Sequence, residues 1–147
     1  MLRPLILACA SAALLSACAA TQEAAAPFDP ANCYQRDFNI YFVGQGAELS
    51  EEARQVMDGM GEAVRGCQIR EVRVIGETDA RGGAVSNDEV SEQRAQVIAE
   101  YLSQRVGWPR SRMTVAAAGE RGAVTEDGLN VPVRRRARVI VEAEPPQ

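Results

Sequence analysis

Apolar residues between positions 38 and 142 alternate between the two-residue period of strands and the wider spacing of helices. The two-residue pattern predicts strands over residues 38–42, 71–75, 113–118 and 137–142. In the last of these, Ala137, Val139 and Val141 share one face, so we expect that face to contact the core. Residues 120–130 lack a period and contain the turn signal Asp127-Gly128, which predicts a loop.

Two helices are predicted between these strands. Ser50 is a good N-cap, carboxylates follow it in the first turn, and Gly66 ends the helix after apolar residues at helical spacing. Ser86 and Glu89 fit a capping box that opens a second helix, which ends near residues 107–109. The order β-α-β-α-β-β predicts an α+β fold, with both helices packed on a four-stranded mixed sheet.

Arg94 breaks the apolar pattern of the second helix. A step of 100° per residue places it about 40° from Val90, inside the apolar stripe. A guanidinium there must be paired or reach a cleft, because an unpaired buried charge is costly. Asp79 lies in the preceding loop, where ligands favour the carboxyl end of a strand. The two side chains therefore predict a site for a zwitterion, and the alternative for Arg94 is an internal salt bridge.

The composition excludes several kinds of chemistry. The 147 residues include neither histidine nor lysine, so all sixteen cations are arginine, against twenty carboxylates. No histidine-based catalytic triad or zinc site can form, and we expect neither a metal nor a cofactor. The formal charge of −4 argues against generic nucleic-acid binding. Arginine favours two-pronged contacts to carboxylates, although codon bias explains an all-arginine set equally well.

The first residues have the pattern of a secretory signal. Arg3 precedes a short apolar stretch, residues 5–15, which is too short to span a bilayer. Leu15-Ser16-Ala17-Cys18 resembles the lipobox of bacterial lipoproteins, in which the cysteine is acylated; the alternative is ordinary cleavage nearby. We therefore expect a signal peptide over residues 1–17, an acylated Cys18 with an Ala/Pro-rich tether over 18–35, a folded domain over 36–143 and a tail over 144–147.

Two cysteines remain for the folded part. Cys33 and Cys67 would lie in an envelope compartment that favours disulfides. A bridge between them would close a loop of about 35 residues and stabilise the fold by about 3–4 kcal/mol. The alternative is two buried free thiols.

Residues 76–95 resemble the core signature of the OmpA C-terminal-like family, G-H-T-D-x-x-G-x-x-x-x-N-x-x-L-S-x-x-R-A. The matching residues are Gly76, Thr78, Asp79, Gly82, Asn87, Ser91, Arg94 and Ala95. The resemblance extends over residues 36–143 and implies the OmpA-like sandwich of two helices on a four-stranded sheet. With the lipoprotein signal and the short tether, the whole chain is similar to peptidoglycan-associated lipoproteins of the Pal type.

The resemblance implies a module that binds the peptidoglycan stem peptide. In the family, the aspartate and the arginine hold meso-diaminopimelate, so Asp79 would contact its ammonium and Arg94 its carboxylate. Further pocket residues implied by position are Thr78, Gly82, Asn87, Phe42, Arg135 and Arg136. Five of these residues have a structural alternative: Thr78 and Asn87 as turn caps, Phe42 as a core residue, and the two arginines as partners of surface acids.

Three departures from the family pattern lie close to this site. Glu77 replaces the histidine of the signature, so its charge either favours an ammonium ligand or faces solvent. Residues 43–45 lack the aspartate common in that loop, and Arg134 replaces the asparagine that precedes two arginines.

The sequence therefore predicts a non-catalytic outer-membrane lipoprotein, facing the periplasm, that anchors the membrane to the cell wall. Its expected partners are peptidoglycan, the outer membrane through the lipid and other envelope proteins, and not nucleic acid. The alternative is an envelope protein–protein interaction module with weak or no wall binding. A wall hydrolase is the least favoured function, because its paired carboxylates would have to come from Glu77, Asp79 and their loop.

Overall fold

A computed structural model describes residues 28–147 of the protein. The main elements are strand β1 (Arg36–Tyr41), helix α1 (Glu51–Ala63), strand β2 (Gln68–Gly76), helix α2 (Ala84–Gln104), strand β3 (Met113–Ala117) and strand β4 (Arg136–Glu144). Short 3-10 turns at Pro30–Asn32, Arg110–Arg112 and Pro132–Arg134 precede β1, β3 and β4. The predicted α+β class and element order are confirmed, and the predicted strands differ from the observed ones only at their ends.

The four strands form one mixed sheet in the order β1-β4-β2-β3. Strand β4 is antiparallel to both β1 and β2, whereas β2 and β3 are parallel. The carboxyl ends of β1, β2 and β3 and the amino end of β4 therefore lie along one edge, which we call the loop edge. The loops that follow β1, β2 and β3 meet there.

The core lies between the sheet and the two helices. On β4, Ala137, Val139 and Val141 are fully buried, as their alternation predicts. Helix α1 begins as predicted, because the hydroxyl of Ser50 accepts from the N–H of Ala53 at 3.2 Å and so satisfies one of the free donors of the first turn.

Helix α2 begins earlier than the capping-box prediction. Gly83 is its N-cap with an extended backbone, no side chain caps it, and Ser86 lies inside the first turn. The capping box is therefore wrong. The chain reverses at Gly82, whose φ of +97° favours glycine, and the helix starts directly after that reversal.

The N-terminal part of the described chain is attached at the edge opposite the loop edge. Cys33 and Cys67 are joined by a disulfide with 5.5 Å between their Cα atoms, next to the start of β2. Phe28 packs its ring against Gly66 in the same region. The predicted signal peptide, Cys18 and residues 19–27 of the tether lie outside the described residues. Within residues 28–147, no helix has the length and apolar character needed to cross a bilayer.

Candidate binding cleft at the loop edge

Close backbone packing fixes where α2 starts relative to the sheet. A Cβ atom at Gly76, the last residue of β2, would overlap the carbonyl oxygen of Ser91. The hydroxyl of Ser91 accepts from the N–H of Gly119, and the carbonyl of Gly119 accepts from the N–H of Thr78 at 2.9 Å. These contacts tie the loops after β2 and β3 to the first turns of α2, so the residues that follow Gly76 are held against the helix.

Arg94 projects from α2 into these loops and is fully buried. Its Nε donates to the carbonyl of Gly46 at 2.9 Å, and its two terminal nitrogens donate to the carbonyls of Glu77 at 2.8 Å and Gly44 at 3.2 Å. The guanidinium also lies 4.9 Å from the ring centroid of Phe42. Arg94 therefore holds the loop after β1 against the end of β2, through backbone carbonyls rather than through the salt bridge that was the alternative.

Burial lowers the pKa of the Arg94 guanidinium, and the negative charge of Asp79 opposes that effect. Since no carboxylate within the described residues forms an ion pair with it, Arg94 is a buried cation stabilised mainly by carbonyl dipoles. Three of its five donors are used by these carbonyls. The other two have no hydrogen-bond partner within residues 28–147, and the side chain is fully buried.

Asp79 is also fully buried, directly beyond the end of β2. Its Oδ2 accepts from a terminal nitrogen of Arg135 at 3.0 Å, and its Oδ1 accepts from the N–H of Arg81 at 3.3 Å. The side chain of Arg81 is mostly exposed and lies 3.7 Å from Asp79 Oδ2. Arg135 is thus the main counter-ion of Asp79, which answers one sequence alternative: this arginine pairs with a buried site carboxylate and not with a surface acid.

Glu77 does not face solvent. It is 4% exposed, and its carboxylate receives Arg136 at 2.8 Å and Arg134 at 3.3 Å. Burial works against the charge of Arg136, but the hydrogen bond and the charge of Glu77 outweigh it and raise the pKa of that guanidinium. The negative charge that replaces the family's histidine is therefore neutralised by arginines of the chain itself.

The remaining predicted residues line or support the same region. Asn87 is buried and donates to the carboxylate of Glu120, so it links α2 to the loop after β3 instead of capping the helix. The hydroxyl of Thr78 is buried and has no hydrogen-bond partner within residues 28–147. Phe42 belongs to the hydrophobic core, as its structural alternative states, and its ring also contacts Arg94. Its role in a ligand pocket stays a prediction.

A cleft of about 290 Å³ opens at the loop edge, beside the start of α2. It is lined by Gln45, Arg81, Gly82, Ser86, Asn87 and Val90. A larger cavity of about 890 Å³ lies at the opposite edge, next to the disulfide and Trp108. The smaller cleft is the candidate site, because Arg81 in its lining contacts the buried Asp79 and Asn87 in its lining is a buried polar residue.

The charge balance of the cleft determines what it can bind. Two buried carboxylates, those of Glu77 and Asp79, are surrounded by Arg94 and by the arginine triplet, residues 134–136. Counting also the carboxylate of Glu120 on Asn87, cations still outnumber carboxylates in this region, which favours an anionic group on a ligand. Asp79 accepts two hydrogen bonds, from Arg135 and from the N–H of Arg81, out of the about four that a carboxylate can accept.

Sequence reasoning missed three partners in this region. It did not find the pairing of Glu77 with Arg134 or of Asn87 with Glu120, nor Asn130, whose side chain accepts from the N–H of Ala80 at 3.0 Å. One signal was available for the first pair. An added acid at position 77 and an added cation at position 134 are opposite departures from one family pattern, which indicates contact.

Comparison with known proteins agrees with this geometry. The sequence profile of the OmpA family matches residues 41–138. Outer membrane protein A of Serratia marcescens is 32% identical over 89 residues, which cover 59% of this chain and 24% of that protein. The match thus spans about a quarter of that relative.

Solved structures share the fold. The OmpA-like domain of FopA1 from Francisella tularensis superposes with a TM-score of 0.64 at 18% identity, over 77% of each chain. The peptidoglycan-associated lipoprotein from Burkholderia pseudomallei superposes with a TM-score of 0.57 at 18% identity, over 70% of this chain and 88% of that one. At these identities the likeness establishes the architecture of two helices on a four-stranded sheet.

Proposed function

This chain belongs to the OmpA family, and on that premise we propose that it is an outer-membrane lipoprotein that binds the meso-diaminopimelate of the peptidoglycan stem peptide. Binding is non-covalent, and it attaches the outer membrane to the cell wall. The observation that carries the proposal is Asp79, a fully buried carboxylate whose charge acts on the buried Arg94 and which contacts Arg81, a residue that lines the cleft.

The ligand chemistry follows from these two charges. The side-chain end of meso-diaminopimelate carries an ammonium and a carboxylate on one carbon. Asp79 supplies the acceptor for the ammonium, and Arg94 retains two donors for the carboxylate. Binding is an exchange, in which the ligand ammonium takes the place of Arg135 on Asp79 and the released guanidinium meets a ligand carboxylate.

Every charged group of the site and of the ligand keeps an opposite charge beside it in this exchange. A ligand with only an ammonium would displace Arg135 into a region that already has excess cations. A ligand with only a carboxylate would leave Asp79 and Arg135 paired and would reach fewer donors. The cleft therefore favours a zwitterion over either single charge.

The position of the chain's start supports membrane attachment on the side away from the wall. Phe28 and Cys33 lie at the edge opposite the cleft. A lipid on Cys18, about ten residues before Phe28, would hold the domain within about 35 Å of the membrane surface. Many anchored copies on one polymer bind multivalently, so a modest single-site affinity is sufficient. The proposed role is structural and requires no catalysis.

The proposal is tested by co-sedimentation with purified sacculi that contain meso-diaminopimelate. We expect the wild type to pellet and Asp79→Asn to stay in the supernatant, because the isosteric amide cannot hold an ammonium by charge. Asp37→Asn is the matched control, since Asp37 pairs with Arg138 at 2.7 Å on the exposed sheet surface. The proposal fails if Asp79→Asn pellets like the wild type while both proteins unfold at the same temperature.

One observation favours protein binding as a second candidate. Several large apolar side chains on the loops of this edge and at the start of α2 are at least 59% exposed. They are Val43, Val85, Leu129 and Val133. This function would be favoured over wall binding if the immobilised wild type does not bind sacculi but retains an envelope protein, and if the Leu129→Asp variant no longer retains that protein.

A further inference from the structure

Three consecutive arginines at the start of β4 form ion pairs with two acidic residues that follow β2. Arg134 and Arg136 both reach the carboxylate of Glu77, at 3.3 and 2.8 Å. Arg135, between them, points to Asp79 at 3.0 Å. The pairing follows from the sheet, because Gly76 lies opposite Ala137 in the β2–β4 ladder and so brings the two segments side by side.

Two of these charges are departures from the family pattern, and they contact each other. Glu77 stands where the signature has histidine, and Arg134 stands where it has asparagine. In this chain the two replacements form an ion pair with side chains 5% and 23% exposed. At such burial an unpaired charge is costly, and Glu77 supplies the counter-charge of Arg134.

We propose that Glu77 is a positioning residue for ligand binding: its carboxylate holds Arg134 and Arg136 away from Asp79, whose cationic neighbours are then Arg135 at 3.0 Å and the exposed Arg81 at 3.7 Å. The inference rests on the proposed function for its effect on wall binding, but its structural half concerns the free protein. Glu77 itself does not contact the ligand. It removes two cations from competition for the one carboxylate that the ligand must reach.

The backbone of residue 77 makes this role separable from that of Arg94. The carbonyl of Glu77 accepts from Arg94, and its N–H donates to the carbonyl of Arg136 at 2.8 Å. Substitution of the side chain keeps both bonds. Glu77→Gln therefore tests the carboxylate alone, and it releases Arg134 and Arg136 beside an Asp79 that already contacts Arg135 and Arg81.

The experiment is a double-mutant cycle with two readouts. Glu77→Gln, Arg134→Gln and the double variant are compared by affinity for meso-diaminopimelate sacculi and by the guanidinium NMR signals of Arg135 without any ligand. We expect Glu77→Gln to weaken binding about tenfold and to shift and broaden the Arg135 signals, a coupling of ordinary size for contacting residues. The double variant should return to within about threefold of wild type, because one competing cation is gone. Asp37→Asn is the control and should change neither readout.

The outcomes separate the two ideas. If the wild type does not bind sacculi, the proposed function fails, and the Arg135 signals alone decide the positioning role. If Glu77→Gln leaves the Arg135 signals unchanged, the positioning role is wrong whatever the binding result. If the signals respond but the losses of the two single variants simply add in the double variant, Glu77 and Arg134 are not coupled, and the inference is overturned.

Discussion

Replacement of Arg94 by alanine should lower the free energy of unfolding of this domain more than the replacement of any exposed charged residue. The side chain donates three hydrogen bonds to the carbonyls of Gly44, Gly46 and Glu77 and contacts the ring of Phe42. Alanine leaves the carbonyl of Glu77 without its donor at a buried position, whereas Gly44 and Gly46 lie in an exposed loop where water can replace the lost donor. It also detaches the loop after β1 from the rest of the loop edge.

The magnitude follows from the contacts. Hydrogen bonds from a charged group contribute about 1.5–3 kcal/mol each, so three of them set an upper bound of about 9 kcal/mol. The variant also avoids the desolvation of a buried guanidinium, which costs several kcal/mol. We therefore expect Arg94→Ala to lower the free energy of unfolding by about 3–5 kcal/mol, and the Tm by about 10–20 °C for a domain of this size.

The assay is thermal and urea unfolding followed by circular dichroism. Arg138→Ala is the control, because its ion pair with Asp37 has both side chains at least 36% exposed and should contribute less than about 1 kcal/mol. A loss below about 1 kcal/mol for Arg94→Ala would refute the reasoning, since it would mean that the three carbonyl contacts do not support the loop. For wall binding, Asp79→Asn is consequently the cleaner test than Arg94→Ala.

Three further predictions concern stability. Replacement of Cys33 and Cys67 by serine should cost about 3–4 kcal/mol, since the bridge spans 34 positions, and urea unfolding of the wild type with and without reductant should show the same difference. Gly76→Ala should cost about 3 kcal/mol or prevent folding, because its methyl group meets the carbonyl oxygen of Ser91; a normal Tm would contradict that packing. The pKa of Glu52 is lowered by hydrogen bonds to its own backbone N–H and to the N-cap hydroxyl, so its carboxylate stabilises the fold above pH 4.5 and loses that effect as the pH falls through the lowered value. The Tm difference between wild type and Glu52→Gln should therefore vanish in acid, and a difference independent of pH would contradict the assignment.

The sequence was sufficient to predict the order of elements and the burial of Arg94. Both depend on periodicity, which is a local property: the wheel of α2 alone places Arg94 in the apolar stripe. The start of that helix was wrong for a local reason as well. Ser86 and Glu89 have the composition of a capping box, but the reversal at Gly82 starts the helix before Ser86 is reached.

The partners of the buried charges could not be read from any local pattern. The acceptors of Arg94 lie 48 and 50 positions away in the loop after β1, and the partners of Glu77 lie beyond position 130. Every residue has a backbone carbonyl, so the sequence does not show which carbonyls accept from Arg94. The three acceptors can be identified only from the three-dimensional structure. Side-chain partners differ in this respect, since Glu77 and Arg134 are paired departures that a family pattern can reveal.

Selectivity between two kinds of cell wall tests the central claim most directly. Lysine-type peptidoglycan carries the ammonium at the end of its third residue but lacks the neighbouring carboxylate. If Asp79 and Arg94 together bind a zwitterion, affinity for meso-diaminopimelate sacculi should exceed that for lysine-type sacculi about tenfold or more, because unmatched buried donors are costly. Equal binding to both walls would contradict the claim.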